Sequence, residues 1–388
     1  MIGSTKRPAF TPCKKGRFMP EAPVFHRHTI YEGGPAERMD CVVGDLDGDG
    51  VQEFVIATRN PDGLHWFGRT DQGTWVPHLM DDTFPSISVG TALVDLTGNG
   101  RLDLISGTSD RGNHVFWWAC PDDPTQRWAR RVVFELPDSR IHDLMVADID
   151  GDGRNELYVW NPDAGTIFSV PVPDDPFVTP WPGVSKVATG VSEQDFAAAD
   201  VDGDGRLELI AGTSWYRLLP NGEWERHVFA EGYGGVRVRA ADFDGDGRVE
   251  IAVCEVALDI GQTYGRLALF RPGADVEKPW EAEVLNDRLL DAHTLQVADF
   301  DGDGRPDIYV GEMGRGDWTK PHPPRQLLFL SRGDHMDEHV IDTGIGTHEA
   351  QVIELDGKFG IISKPYRWLQ DTAPRPQLVD NLYLYMPE

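Results

Sequence analysis

One nine-residue stretch recurs along the chain and decides most of what it can become. DLDGDGVQE begins at Asp45, DLTGNGRLD at Asp95, DIDGDGRNE at Asp148, DVDGDGRLE at Asp200, DFDGDGRVE at Asp242 and DFDGDGRPD at Asp299. A worn copy, ELDGKFGII, begins at Glu354. Successive starts lie 50, 53, 52, 42, 57 and 55 residues apart. Self-similarity at such a period marks a repeat architecture, in which each unit buries its apolar faces against its neighbours. Seven units nearly fill the 388 residues, so the reading is an extension over residues 1–22 and a single domain over 23–388.

The units share a grammar. An apolar strand precedes each acidic loop (HTLQVA before Asp299), a second follows it (DIYVG), and an aromatic third comes after a longer connection (HWFG, HVFWW, LALF, LLFL). A fourth often opens on a large apolar residue, as in WVPHLM, WARRVVF, WERHVF, WEAEVL and MDEHVI. Short strands parted by Gly, Pro and Asp turns read as all-β, and four strands in each of seven units predict a seven-bladed β-propeller. FHRHTIYEGG near the N-terminus has the fourth-strand pattern, whereas the last unit stops after its third strand, LVDNLYLYMPE. The strand around Phe25 to Ile30 should therefore complete the last blade and leave no open edge there. Recurring Trp75, Trp128, Trp224 and Trp280 should cover the cores between blades, with His28, His78, His227 and His339 at the outer edge.

Charge narrows the partners. Asp and Glu outnumber Lys and Arg by 64 to 36, and the formal charge of −28 argues against electrostatic binding to nucleic acid or an anionic membrane. The 12 Trp and 10% aromatics nevertheless speak for a packed protein rather than an acidic disordered chain. No apolar run approaches the roughly 20 residues of a membrane span. The basic start, MIGSTKRPAFTPCKKGRFMPEAPVF, lacks the apolar stretch of a signal peptide. Cys13, Cys41, Cys120 and Cys254 are scattered, like isolated thiols of a reducing compartment. A cytoplasmic location is expected, or a secreted one if a signal has been trimmed away.

The acidic loops carry the clearest chemistry. In Asp299-x-Asp301-Gly302-Asp303-Gly304-Arg305-x-Asp307, carboxylates fall at positions 1, 3, 5 and 9, and position 7 offers a backbone carbonyl. Hard oxygen donors at alternate positions of a tight loop suit Ca2+, which takes about 6–8 oxygens, and the glycines permit the left-handed backbone that wraps an ion. Four carboxylates so close would repel one another without a cation. The same set recurs as Asp45, Asp47, Asp49 and Glu53, as Asp148, Asp150, Asp152 and Glu156, as Asp200, Asp202, Asp204 and Glu208, and as Asp242, Asp244, Asp246 and Glu250. In the second unit Thr97 and Asn99 replace two aspartates, leaving Asp95, Asn99 and Asp103 and a weaker site. The shortened seventh copy should be empty. Five to six structural Ca2+ ions are expected, and six would move the formal charge from −28 to −16.

With these loops the chain resembles the FG-GAP/VCBS repeat family, the calcium-loop propellers also seen in integrin α-subunits, over nearly its whole length. The resemblance implies Ca2+ held between the first and second strands of blades. Two segments, HTLQVADFDGDGRPDIYVGEM and GTHEAQVIELDGKFGIISKPY, are similar to parts of the propellers of aldos-2-ulose dehydratase and of rhamnose–glucuronate polysaccharide lyases. That likeness implies β-elimination on a carbohydrate, with a His or Tyr moving protons at the channel mouth, and it extends to His293, Glu312, His348 and Lys364.

A working site is expected at the other end of the inner hairpins, around the central channel. Six residues before each motif stand His142, Gln194, Val236, His293 and His348, with Asp143, Asp195, Arg237, Thr294 and Glu349 beside them. Thirteen after it stand Thr58, Thr108, Asn161, Thr213, Glu255 and Glu312, with Lys364 as the last blade's counterpart. The following loops add Arg59, Trp215, Tyr216, Arg315, Tyr366 and Trp368. Charged groups beside aromatic platforms suit a sugar or another oxygenated small molecule. The reading is a carbon–oxygen lyase of the dehydratase or polysaccharide-lyase type. His348 and His293 would be its base and acid, His142 and Glu312 further candidates, Arg237 or Lys364 the stabilisers of an enolate, and Tyr366 a reserve acid. Arg59, Gln194, Trp215, Tyr216, Glu255, Arg315 and Trp368 would bind the substrate. Three alternatives stay open: a divalent metal at the mouth on His142, His293 and His348, a cyclase or isomerase using Glu312 on a biosynthetic intermediate, and a non-catalytic glycan- or protein-binding propeller. Two Arg-Gly-Asp tripeptides, at 315–317 and 332–334, read as chance occurrences in Gly-rich turns.

Overall fold

The computed structural model describes residues 21–33, 38–58, 63–83, 87–108, 112–136, 140–192, 194–313, 321–365 and 381–388. Among these residues every regular element is a strand, and the strands form seven four-stranded antiparallel sheets. Blade 1 comprises β2 (Arg38–Gly44), β3 (Glu53–Thr58), β4 (Leu64–Arg69) and β5 (Trp75–Asp81), hydrogen-bonded in that order. Blades 2 to 6 follow the same plan, their inner strands being β6 (Ile87–Val94), β10 (Asp143–Ala147), β14 (Phe196–Ala199), β18 (Val236–Ala241) and β22 (Ala292–Ala298). Blade 7 takes β26 (Gln351–Leu355), β27 (Lys358–Ser363) and β28 (Leu382–Pro387) from the C-terminus and β1 (Phe25–Tyr31) from the N-terminus. β1 pairs antiparallel with β28, from Phe25 opposite Pro387 to Tyr31 opposite Leu382, and closes the ring as the end sequences predict. Among the described residues no helix is long and apolar enough to cross a membrane.

Packing explains the apolar grammar. A blade has neighbours on both faces, so second strands such as β3 are buried at every residue. One apolar cluster fills each space between blades, and the large residue that opens a fourth strand reaches back to the blade before. Trp75 packs between blades 7 and 1, Trp128 between 1 and 2, and Trp280 between 4 and 5, while Trp224 lies against the cluster between 3 and 4. The recurrent fourth-strand histidines stack on third-strand tryptophans, His78 on Trp66 at 4.4 Å and His227 on Trp215 at 4.1 Å between ring centroids.

The inner strands are also tied side by side. In three blades the residue five before the motif accepts a backbone N–H from the next blade, in or beside its inner strand. Asp40 Oδ2 takes Thr91 N–H at 2.9 Å, Asp195 Oδ2 takes Val238 N–H at 3.0 Å, and Thr294 Oγ1 takes Ala350 N–H at 3.0 Å. Polar side chains at the channel thus hold the ring as well as line it.

Candidate functional site

Each acidic loop is shaped by its own carboxylates. Asp148 accepts the N–H of Gly151 at 2.8 Å and of Gly153 at 2.9 Å, and those glycines have φ of 73° and 87°, where a side chain would be strained. Asp150 and Asp152 each accept the N–H two residues on, at 3.0 and 2.9 Å, and Glu156 reaches back to Ile149 N–H at 3.1 Å. The result brings one oxygen from each of Asp148, Asp150, Asp152 and Glu156 within 4.8 Å of the others. Asp242, Asp244, Asp246 and Glu250 repeat this, and Asp45, Asp47 and Glu53, like Asp200, Asp202 and Glu208, gather three. Asp49 and Asp204 make the same bond as Asp152, accepting the N–H of Val51 at 2.7 Å and of Arg206 at 2.9 Å. The Asp299 loop has the same internal bonds, Gly304 N–H to Asp299 at 2.8 Å and Phe300 N–H to Asp307 at 2.8 Å, with Asp303 accepting Arg305 N–H. In the variant loop Asp95 accepts Asn99 and Gly100 N–H, Asn99 accepts Arg101 N–H, and Asp103 turns one oxygen to Cys120 N–H at 2.8 Å.

These clusters are short of positive charge. Burial, reinforced by the neighbouring aspartates, pushes Glu53 up to about 8 and Glu208, Glu250 and Asp307 up to about 7, even though each accepts backbone N–H groups. Glu156 is raised for the same reasons. A cation among the oxygens would restore the charged form, so the donor set fits a hard metal ion. In blades 4 and 6 an arginine in or just past the third strand already reaches position 3, Arg217 to Asp202 at 3.0 Å and Arg332 to Asp301 at 2.6 Å. Arg332 is buried there, so the tripeptide at 332–334 does not present its arginine to solvent. Blade 7 replaces the loop by a two-residue turn, Asp356 (φ 54°) and Gly357 (φ 74°), between paired Leu355 and Lys358.

At the opposite end of the hairpins the channel holds a charged network. Arg237 of blade 5 donates to Glu349 of blade 7 at 2.7 and 3.1 Å and to Gln194 at 3.3 Å. Burial works against the Arg237 charge, but Glu349, Asp143 and Asp195 more than offset it and hold the guanidinium above its usual value. Asp195 Oδ2 also accepts from Arg239 at 2.7 Å. His142 Nδ1 lies 2.9 Å from Asp143, and although burial opposes ionisation of Asp143, His142 and Arg237 hold its carboxyl down to about 2. Gly90, Asp195 and Glu349 occupy the same repeat position with φ of 83°, 60° and 49°. For the two acids that conformation costs about 1–3 kcal/mol each. A cavity of about 140 Å3 lies here among Asp40, Thr91, Asp143, Asp195, Arg239 and Glu349.

His293 and His348 meet in this network. Their rings stack at 5.2 Å and 24°. Lys364 Nζ is 3.4 Å from His348 Nδ1 and donates to the His348 carbonyl, while Asp291 Oδ1 is 3.7 Å from His293 Nδ1. His293 and His348 expose 6% of their surface and Lys364 none.

The remaining expected residues divide. Trp215 and Tyr216, placed by the sequence reading in a loop at the mouth, lie instead on the third strand of blade 4, fully buried in the cores toward blades 5 and 3. The connection from Ala211 to Ser214 is too short to carry a loop, so these aromatics are drawn into the strand. Glu312 and Glu255 are each claimed by a third-strand arginine, Arg325 at 2.7 Å and Arg266 at 2.7 Å, and Glu312 also accepts Leu290 and Arg325 N–H. Arg59, Arg315, Tyr366 and Trp368 lie outside the described residues. Asp40 is the residue that counting overlooked: the same offset from Asp45 finds it. Burial first, then Glu349, pushes its carboxyl up to about 7 against the pull of Lys364.

A closed ring of seven four-stranded blades with acidic loops at one end of its inner hairpins defines an acidic-loop type of β-propeller. The FG-GAP-like repeat family matches residues 45–106, 95–159, 148–211 and 200–253, and the FG-GAP repeat matches residues 292–321. The chain belongs to the FG-GAP repeat family. No curated protein matches it. Among solved structures it is similar to BBS1N, crystallised in complex with ARL6DN, at 14% identity over 94% of this chain and 97% of that one, with a TM-score of 0.58. It is also similar to the Vibrio cholerae biofilm matrix protein Bap1, at 12% identity over 94% of this chain and 70% of that one, with a TM-score of 0.45. The first likeness shows the fold alone, and the second carries no argument.

Proposed function

We propose that the acidic loops hold structural Ca2+ and that the channel mouth at the other end of the hairpins is the active site of a lyase acting on a small oxygenated, sugar-like molecule. Asp148, Asp150, Asp152 and Glu156, and their counterparts in blades 1, 4, 5 and 6, would hold the ion, with a weaker site on Asp95, Asn99 and Asp103. Bound there, it would supply the positive charge that these carboxylates lack.

One observation carries the catalytic reading: two stacked imidazoles have opposite electrostatic neighbours. The Lys364 ammonium beside His348 disfavours a second positive charge, which suits a neutral ring that accepts a proton. The Asp291 carboxylate beside His293 favours a protonated ring, which suits a donor. His348 would take the proton from a carbon next to a carbonyl or carboxylate, and Lys364 would stabilise the resulting enolate. The enolate electrons would then expel the β-oxygen, which leaves with a proton from His293. His142, paired with Asp143, and Arg237, held by Glu349 and Gln194, would orient substrate polar groups.

A non-catalytic binding propeller is the second reading. It is favoured by the matched charges of the mouth and by the near-complete burial of Lys364 and both histidines. A panel of uronates, ketoses and their glycosides separates the two. Elimination creates a conjugated product with new ultraviolet absorbance. Product with none of the panel, together with saturable binding of an unaltered sugar or of a protein, sinks the lyase reading and supports the platform.

A further inference from the structure

Three spaces between blades are covered by the loop that leads into the next blade's fourth strand. Between blades 1 and 2 the Pro124 carbonyl accepts the ring N–H of both Trp66 and Trp128 at 2.9 Å. Between blades 2 and 3 the Pro176 carbonyl accepts the Trp181 ring N–H at 2.9 Å, and Phe177 packs on Trp117 at 4.9 Å. Between blades 4 and 5 the Val276 carbonyl accepts the Trp280 ring N–H at 2.9 Å, while Glu277 pairs with Arg217 at 2.6 Å. Two of these covers contain the same four residues, Pro-Asp-Asp-Pro, at 121–124 and 173–176.

Among the described residues, the space between blades 7 and 1 has no such cover. Blade 1 turns at once, with Gly73 N–H on the Thr70 carbonyl at 2.7 Å. Leu384 stands opposite His28, as Trp66 stands opposite His78 and Trp215 opposite His227, so a smaller side chain occupies the place of the indole. The two-residue turn at Asp356 removes the wall that an acidic loop would provide. What remains is a cavity of about 430 Å3 lined by His28, Arg69, Trp75, Leu384, Met386 and Asp356, among others.

We propose that this groove docks an acidic, proline-bounded turn of a partner protein, of the Pro-Asp-Asp-Pro kind with which the propeller covers its own cores. The lining mixes apolar Ile30, Leu355, Leu384 and Met386 with polar groups and offers Trp75 at the place where sibling covers are anchored. Arg69 supplies the cation: its own pairing, to Asp356 at 3.6 Å, is loose and exposed, so exchange for a partner carboxylate costs little. Proline limits the freedom such a turn loses on docking.

The test uses isotope-labelled full-length protein and a synthetic peptide of residues 121–128, PDDPTQRW. Saturable shifts of the Trp75 indole and of Arg69, Thr74 and Leu384 are expected. Arg69→Glu should weaken binding by about fivefold or more, and Leu384→Trp, which restores the sibling residue, should abolish it while the melting temperature holds or rises. No saturable shift, shifts elsewhere, or binding unchanged in both variants overturns the proposal. Concentration-dependent groove shifts without peptide would show a second copy as occupant, and contacts from residues 1–20 in the free protein would show the chain's own start there. Either result also overturns the partner assignment.

Discussion

Arg237 and Glu349 cross from blade 5 to blade 7 with 3% and 12% of their side chains exposed. Breaking such a pair leaves one charge buried and uncompensated, so Arg237→Met should cost about 3–5 kcal/mol in a urea melt. Adding Glu349→Gln should recover part of that loss, and a double variant no better than the single one would show that the pair is not coupled. His348→Gln, which keeps most of the volume of the buried ring, should lower turnover by about 10²–10⁴-fold with a much smaller proportional change in melting temperature. A fall in melting temperature in step with activity would assign the ring to scaffold alone. Residues of the mouth were legible where they sit at a fixed offset from the motif, because a hairpin brings the offsets −6, −5 and +13 side by side. Trp215 and Tyr216 were misplaced since strand length varies between blades and counting forward assumes that it does not. The claims of Arg325 on Glu312 and Arg266 on Glu255 were hidden because each pairing depends on the start of a third strand, where loop lengths differ.

The inner hairpin is the element in which stability and the proposed metal ion meet. Its position-9 acids bind protons more tightly folded than unfolded: Glu53 titrates near 8, and Glu208, Glu250 and Asp307 near 7, against ordinary values of about 4. In chelator the folded state therefore holds protons that the unfolded chain has lost, and stability should fall as pH rises from about 4 to about 8. Excess Ca2+, which favours the charged form, should remove most of that fall. Asp40 shifts in the same direction but lies among the inner-strand residues at the channel, so a small calcium-insensitive part should persist and vanish in Asp40→Asn. Melting temperatures across pH with chelator and with Ca2+ check both parts, and identical curves would contradict them. A second element-scale test is Glu156→Gln, which removes a carboxylate from one four-acid loop. It should lower the melting temperature in Ca2+ more than in chelator, and an equal drop in both would detach that loop from the ion.

The ring as a whole was readable because its determinants are local and repeated: two inner strands in seven units, an acidic loop between them in six, and a large fourth-strand opener in most. Closure by β1 was readable because the last unit lacks a fourth strand and the first residues supply one. What the period could not reveal was the asymmetry between blades, which comes from loops outside the motif: the covers present at three spaces, and the seam between blades 7 and 1 left open. Each ion bound only by the folded state adds about 2.7 kcal/mol at a concentration 100 times its dissociation constant, and sites spread around a closed ring stabilise it together. That the acidic loops hold the ring through bound cations is tested most directly by calorimetric melting near neutral pH, first in excess chelator and then with Ca2+ restored. The prediction is a melting temperature lower by about 10 °C or more in chelator and recovered with Ca2+. The same melting temperature in both would contradict it.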